Sequence, residues 1–350
     1  MAPYKYTITD LEREITYKGV FEEFAFGKPS LSLPRLILIG AQPGAGKSNL
    51  AEKAKTELSK IGAPVSADID DIRPFHPKYV EVFEDNPFKL SALINKDCWG
   101  WTSQLLLDTR HAKNNVVYQA TIRNAKRVED LVKDFQKEKF AVDLFVVAAN
   151  AKQSVQGIFY RFERAIDEMN NGFPTIPRWV PIPFHNAVYS AFPQNIEYLA
   201  RNAKLERIGI FDRNGNPVYL SEGKSVHKNA GAALAKEQGR YWLQPEKDDF
   251  AKAWQGLFEV IKGRPSDKLK PKWYMRTAQL YAHEARRFAE AIQACSTIVP
   301  SGLSIIQRTP YHHFVLDKDG QLIAYDRERD ANRSIRPMAG VPRSPKPEPK

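Results

Sequence analysis

Apolar residues along the chain alternate between short continuous runs and runs spaced at helical intervals. Arg35-Leu-Ile-Leu-Ile39 is a compact apolar block closing on Gly40, which predicts a buried strand. From Lys47 onward, Leu50, Ala54, Leu58 and Ile61 follow a helical period that stops at Gly62. The same reading predicts strands over 64–67, 115–118 and 142–147, and helices over 88–111, 128–135, 155–169 and 188–201. Residues 172–184 carry four prolines and read as a loop. Arg207-Ile-Gly-Ile-Phe211 reads as a strand entering Asp212-Arg-Asn-Gly-Asn216, a hairpin turn with Asn-Gly at its centre. The first 33 residues are a polar, helix-capable lead-in.

Strands alternating with helices over 34–212 predict an α/β fold, a parallel sheet wrapped by helices on both faces. Beyond residue 220 the pattern changes. Helices are expected near 230–238 and 248–261, then a basic linker over 263–272, a long amphipathic helix over 273–295 and a hairpin over 314–325. The expected organisation is therefore a core of residues 1–220, a mostly helical accessory region of 221–332, and a Pro-rich basic tail of 333–350 that is disordered.

A length of 350 residues accommodates about two domains, and 43% hydrophobic residues exclude a wholly disordered chain. No apolar run approaches the roughly 18 residues that a membrane-spanning helix needs. Two cysteines, Cys98 and Cys295, exclude a disulfide framework. The polar, acid-bearing start is neither a signal nor a transit peptide, so a cytoplasmic setting is expected. Lysine and arginine number 52 against 41 acids, a net charge of +11. That excess points to an anionic partner such as a nucleotide, a nucleic acid or a phosphorylated substrate, although a solubilising surface would give the same sum.

The strongest chemical signal is Ala41-Gln-Pro-Gly-Ala-Gly-Lys-Ser48 between the first strand and the first periodic helix. Glycines there let backbone N–H groups curl round phosphate oxygens, and the following helix start adds its dipole. Lys47 can reach the β- and γ-phosphates, and Ser48 can ligate Mg²⁺. Gln42, Pro43, Gly44, Ala45, Gly46, Lys47 and Ser48 are thus the expected nucleotide-binding residues, for ATP or GTP. After the second strand, Asp68-Ile-Asp-Asp71 offers a carboxylate to an acceptor hydroxyl, a reading that three aspartates in four positions favour over a helix cap or a solvated acidic turn. Arg161 and Arg164 on a helix, with Arg178 in the proline-rich loop, form a candidate clamp for charge developing on a transferred phosphoryl group. His76 reads as a capping or packing residue, and the pair His312-His313 as structural.

In this ordered set the chain resembles the zeta toxins of epsilon/zeta-type toxin–antitoxin systems. The resemblance rests on the Gln-Pro phosphate loop, on Asp70 six residues before His76-Pro77, on Thr121 and Arg123, on Arg161-Phe-Glu163, on Arg178 seven residues before His185, and on Ile208-Gly-Ile-Phe-Asp-Arg-Asn-Gly215. It covers roughly residues 1–220. It implies a P-loop kinase that phosphorylates the 3′-hydroxyl of the amino sugar in UDP-N-acetylglucosamine, starves cell-wall synthesis, and is held inactive by a small antitoxin. It further implies Asp70 as base, Lys47 on the phosphates, Arg161 and Arg178 as the lid clamp, and Asp70, Arg73, Gln119, Thr121 and Arg123 around the acceptor. Two departures concern substrate choice: Gln119 stands where the family has a glutamate, and Ser103 where a second acid is expected. The alternatives are a kinase acting on NAD or on nucleic-acid 5′-hydroxyl ends, and a nucleotide-dependent interaction module working through the C-terminal region.

Overall fold

The computed structural model describes residues 5–85, 89–173, 175–223 and 227–263, together with the strand residues 307–308, 312–316, 322–326 and 336–337. In chain order the elements are α1 (Asp10–Phe24), β1 (Arg35–Gly40), α2 (Lys47–Ser59), β2 (Val65–Asp68), α3 (Ile69–Ile72), a 3₁₀ turn (Arg73–Phe75), α4 (Tyr79–Asp85), α5 (Leu90–His111), β3 (Val116–Ala120), α6 (Ala125–Lys137), β4 (Ala141–Val147), α7 (Ala151–Asn170), α8 (Ile182–Asn202), β5 (Arg207–Phe211), β6 (Pro217–Glu222), α9 (Ala230–Gln238), α10 (Gln244–Gly263), β7 (Gln307–Arg308), β8 (His312–Leu316), β9 (Leu322–Asp326) and β10 (Arg336–Pro337). The expected strands and helices up to 261 are all present, usually extended by one turn or less, though α8 starts six residues early. The expected helix over 273–295 and most of the linker before it lie outside the described residues.

The chain divides into two compact units, Met1–Ile158 with Arg178–Arg240, and Phe159–Pro177 with Tyr241–Lys350. The first contains a six-stranded sheet in the order β2-β3-β1-β4-β5-β6, parallel except for β6, which folds back on β5 through the Asn-Gly turn. β1 is buried at every position but its first, consistent with a central strand covered on both faces. α2 lays Leu50, Ala51, Ala54 and Leu58 on one face of the sheet, against Ile37, Ile39 and Val117. The helical pattern and the strand pattern thus meet in one apolar layer.

At the start of the strands, Asp143 is fully buried and pairs with two guanidinium groups. Arg35 Nη1 lies 2.6 Å and Arg207 Nη2 2.7 Å from its Oδ2. Arg207 also reaches Glu57 on α2 at 2.6 Å and sits over the Phe145 ring, so one arginine joins β4, β5 and α2. α8 is tied to α6 by Tyr198, whose hydroxyl donates to Glu129 at 2.7 Å, and by Gln136, which donates to the carbonyl of Lys204 at 2.8 Å.

The second unit contains α10, on which Phe250 and Trp254 are buried, with Trp254 packed against Phe159 at 5.6 Å between ring centroids. It also holds an antiparallel sheet, β10-β9-β8-β7. β8 and β9 form the expected hairpin, and His312 and His313 lie within β8. Arg336–Pro337, within the stretch expected to be a tail, pair with Ala324 and Ile323 of β9.

Two outcomes follow. Asp143→Ala leaves two arginines facing a vacated buried site and is expected to cost about 3 kcal/mol in urea unfolding. Lys133, Tyr198 and Lys126 hold the Glu129 carboxyl down to about 2, from an ordinary value of 4.5. Its contribution is therefore complete above about pH 4.5 and is lost as pH falls toward 2. Glu129→Gln should accordingly show a shallower loss of stability between pH 5 and 2.5.

Candidate active site

Residues 41–46 join β1 to α2 at the C-terminal edge of the sheet, where α/β folds place their ligands. Gly44 and Gly46 take left-handed φ values of +77° and +90°, and Gly46 caps α2 with no side-chain hydrogen bond. The N–H groups of the first turn of α2 are thus not taken up by a capping side chain. The loop is seated on α7 backbone to backbone. A Cβ at Gly44 would lie 2.0 Å from the Ser154 carbonyl oxygen, and one at Gly157 would lie 2.2 Å from the Gly44 carbonyl oxygen. Gln42 is fully buried and its Nε2 donates to the Ala149 carbonyl at 2.7 Å, so its side chain is scaffold beneath the loop. Pro43 and Ala45 are buried as well, Lys47 is half-buried and Ser48 is exposed. This arrangement can surround phosphate oxygens with backbone donors, one ammonium and one hydroxyl.

The β5–β6 turn adds a residue that the sequence reading left without a role. Arg213 lies 3.8 Å from the Cβ position of Gly46, donates to the Gln153 carbonyl at 3.4 Å, and is held by burial below the ordinary arginine range.

At the end of β2 the aspartate cluster divides its work. Asp68 is buried and caps α3, accepting from the Asp70 N–H at 2.9 Å, while Asp71 is exposed. Asp70 is half-buried and meets two guanidinium groups: Arg73 makes a short hydrogen bond to Oδ1, and Arg178 Nη1 lies 3.0 Å from the same oxygen. Arg73 is in turn fixed by Asn95 of α5, whose Oδ1 accepts from Nε at 3.2 Å and from Nη2 at 3.0 Å. Burial opposes the charge on Arg178, but Asp70, Tyr79, Asp68 and Asp71 outweigh it and raise its pKa above the ordinary arginine value. His76 accepts from the Lys78 N–H at 3.1 Å and packs on Trp101, and burial lowers its pKa below 6.5. It is the capping and packing residue its sequence context suggests.

The remaining candidates spread over three places. Gln119 is buried on β3, opposite Ile39 and Asp68 in register. Thr121 is half-buried and Arg123 exposed in the connection to α6, with the Arg123 guanidinium 5.7 Å from the Phe184 ring centroid. The Ser103 hydroxyl donates to the Trp99 carbonyl at 2.7 Å on its own helix. Of the three arginines expected to act together, Arg178 stands on Asp70, Arg164 pairs with Glu168 at 2.9 Å, and Arg161 lies on the part of α7 that belongs to the second unit. Ser154 and His185 are both fully buried and lie 2.7 Å apart, joining α7 to α8 beside the loop; only the spacing of His185 after Arg178 hinted at them. Among the described residues no group of three or more His, Cys, Asp or Glu side chains could hold a metal ion, and no helix is long and apolar enough to cross a membrane.

A parallel sheet with a glycine-rich loop leading from its central strand into a helix defines the fold class of P-loop kinases. The chain belongs to the zeta toxin family, whose profile matches residues 22–224, more than half of its length. It is 26% identical over 237 residues to Toxin PezT of Streptococcus pneumoniae serotype 4 (strain ATCC BAA-334 / TIGR4), covering 67% of this chain and 90% of that relative. It is 24% identical over 217 residues to Toxin zeta of Streptococcus pyogenes, covering 61% of this chain and 72% of that one. The fold is similar to a solved structure from the PezAT chromosomal toxin–antitoxin system of Streptococcus pneumoniae, with a TM-score of 0.62, 22% identity, and coverage of 73% of this chain and 99% of that chain.

A methyl group at Gly44 has no room between the loop and Ser154, and the left-handed backbone there is strained for alanine. Gly44→Ala is expected to weaken ATP binding by calorimetry about tenfold or more, about 1.4 kcal/mol, and to lower Tm as well, because the methyl must push the loop away from α7. Undiminished binding would show that the path of this backbone does not matter for the nucleotide.

Proposed function

We propose that this protein is a toxin-type kinase that transfers the γ-phosphoryl group of ATP to the 3′-hydroxyl of the amino sugar in UDP-N-acetylglucosamine. The observation that carries this reading is the placement of Asp70. Its carboxylate follows β2 on the same sheet edge as the loop that follows β1, with only β3 between the two strands. Membership of the zeta toxin family supports the activity.

In the proposed reaction the acceptor hydroxyl displaces a guanidinium from Asp70 and donates its hydrogen bond to the carboxylate. As the hydroxyl oxygen bonds to the γ-phosphorus, the bond from phosphorus to the β,γ-bridging oxygen breaks, ADP leaves, and Asp70 takes the proton. Lys47 and the loop N–H groups hold the transferring phosphates, and Arg178, freed from Asp70, neutralises charge developing on them. Arg161 is assigned to the same clamp. Arg73 stays on Asn95 and orients the carboxylate, while Gln119, Thr121 and Arg123 receive the sugar nucleotide. Gln119 in place of an acid lowers the negative charge beside the acceptor, which favours tolerance of other UDP-sugars. The exposed Ser48 hydroxyl at the start of α2 fits Mg²⁺, which takes few protein ligands beside phosphates and water: Ser48 would hold it, and it would supply charge neutralisation on the phosphates. The region matching the family carries the reaction, and the chain beyond it is accessory.

A small antitoxin partner is part of the proposal, supported by the similarity to a structure from the PezAT toxin–antitoxin system. The test is a phosphate-transfer assay with Mg–ATP against UDP-N-acetylglucosamine, other UDP-sugars, NAD and a 5′-hydroxyl oligonucleotide, with Lys47→Ala as blank. Transfer confined to UDP-sugars is expected. Transfer to NAD or to the oligonucleotide would overturn the acceptor and keep the kinase. Asp70→Asn should lower kcat by about a hundredfold or more with ATP binding near normal, and wild-type turnover in that variant would remove Asp70 as the base.

A further inference from the structure

Thr121, Ile122, Arg123 and Asn124 connect the end of β3 to the start of α6. Within this turn Ile122 has φ +45°, in the left-handed region. The other non-glycine residues with positive φ among those described are Lys113, Lys139, Lys204 and Asn229. The three lysines lie just past the C-termini of α5, α6 and α8, where such a conformation is ordinary, and Asn229, at the N-cap of α9, is a residue type that tolerates it. Ile122 is different: it is β-branched, it ends no helix, and a β-branched residue stays in this region only where its surroundings over-determine it.

Two things hold it there. Its side chain is buried above Gly40, so closely that a Cβ on Gly40 would lie 2.4 Å from Ile122 Cδ1. On the other side Asn195 of α8 donates from one Nδ2 to both the Ile122 carbonyl, at 2.9 Å, and the Arg123 carbonyl, at 3.1 Å. The strained residue lets the chain sink Ile122 while its neighbours stay outward, Thr121 half-buried and Arg123 exposed against Phe184. Strain that is held this firmly, between two residues assigned to the acceptor, is the mark of a preorganised site.

We infer that Asn195 is a positioning residue for the acceptor: its two hydrogen bonds to the Ile122 and Arg123 carbonyls fix the left-handed turn that presents Thr121 and Arg123 to the sugar nucleotide. The inference rests on the assignment of Thr121 and Arg123 to the acceptor made above. Asn195 touches neither the nucleotide loop nor Asp70 through any hydrogen bond described, so its loss acts on one substrate.

The test uses the full chain with Mg–ATP and UDP-N-acetylglucosamine. Asn195→Ala, and Asn195→Asp, which keeps the shape but cannot donate, should each raise the KM for the sugar nucleotide about tenfold. The KM for ATP and kcat should stay within about twofold, a split that a general loss of structure does not produce. Thr121→Ala and Arg123→Ala are measured alongside. If they leave the acceptor KM unchanged, the acceptor assignment fails; if they raise it while the Asn195 variants do not, the positioning role fails. Equal rises in both KM values, or a fall in kcat accompanied by a lower Tm, would also overturn the inference. A crystal structure of Asn195→Ala gives a reading independent of the acceptor. Residue 122 is expected to leave the left-handed region, and a turn unchanged from the wild type would contradict the inference.

Discussion

The proposed kinase site depends on a backbone-on-backbone contact between the glycine-rich loop after β1 and α7. Gly44 and Gly157 meet where neither can carry a side chain, and the Ser154 carbonyl fills the space beside them. Atoms packed this closely move together, so the loop takes its position from α7. α7 is joined to α8 by the buried Ser154–His185 hydrogen bond. α8 then reaches back through Asn195 to the turn after β3, and through Tyr198 to α6. One line of contacts thus runs from the nucleotide loop to the proposed acceptor turn without leaving the first unit. The Asp143 arginine pair lies at the opposite end of the strands, where it serves stability alone.

Charge sets the second condition. A carboxylate that meets two guanidinium groups is held in place, but it is also occupied. Asn95 anchors Arg73 in the turn after α3, whereas Arg178 comes from the connection between α7 and α8. In the proposed cycle this difference separates orientation from transition-state stabilisation: one arginine stays with the base, the other moves to the phosphates. The resting ion pair also keeps the Arg178 charge compensated in a largely buried setting, where an unpaired guanidinium would be costly.

Much of this was legible in the sequence, because the pattern and the chemistry agreed. The apolar block at 35–39, the glycine-rich loop and the helical period after Lys47 all point to one strand–loop–helix unit, and they form it. The parallel sheet followed from the alternation of strands and helices, and the β5–β6 hairpin from Asn214-Gly215. What stayed hidden were residues whose roles are purely three-dimensional. Gly157 reads as an ordinary glycine within a helical stretch until the loop is laid on it, and nothing near Asn195 in sequence marks it as the partner of a turn some seventy residues away. α3, the 3₁₀ turn and α4 were missed because their apolar positions are too few for a period to show.

The central claim is that the loop after β1 and the carboxylate of Asp70 face one reaction. The most direct measurement is a crystal structure with a non-hydrolysable ATP analogue, Mg²⁺ and UDP-N-acetylglucosamine. The account predicts phosphates within the loop between Gly44 and Ser48, a sugar hydroxyl about 3 Å from an Asp70 carboxylate oxygen and in line with the γ-phosphorus, and Arg178 moved from Asp70 toward the phosphates. Phosphates bound elsewhere, or a bound sugar nucleotide whose hydroxyls lie out of reach of an Asp70 still held by both arginines, would contradict it.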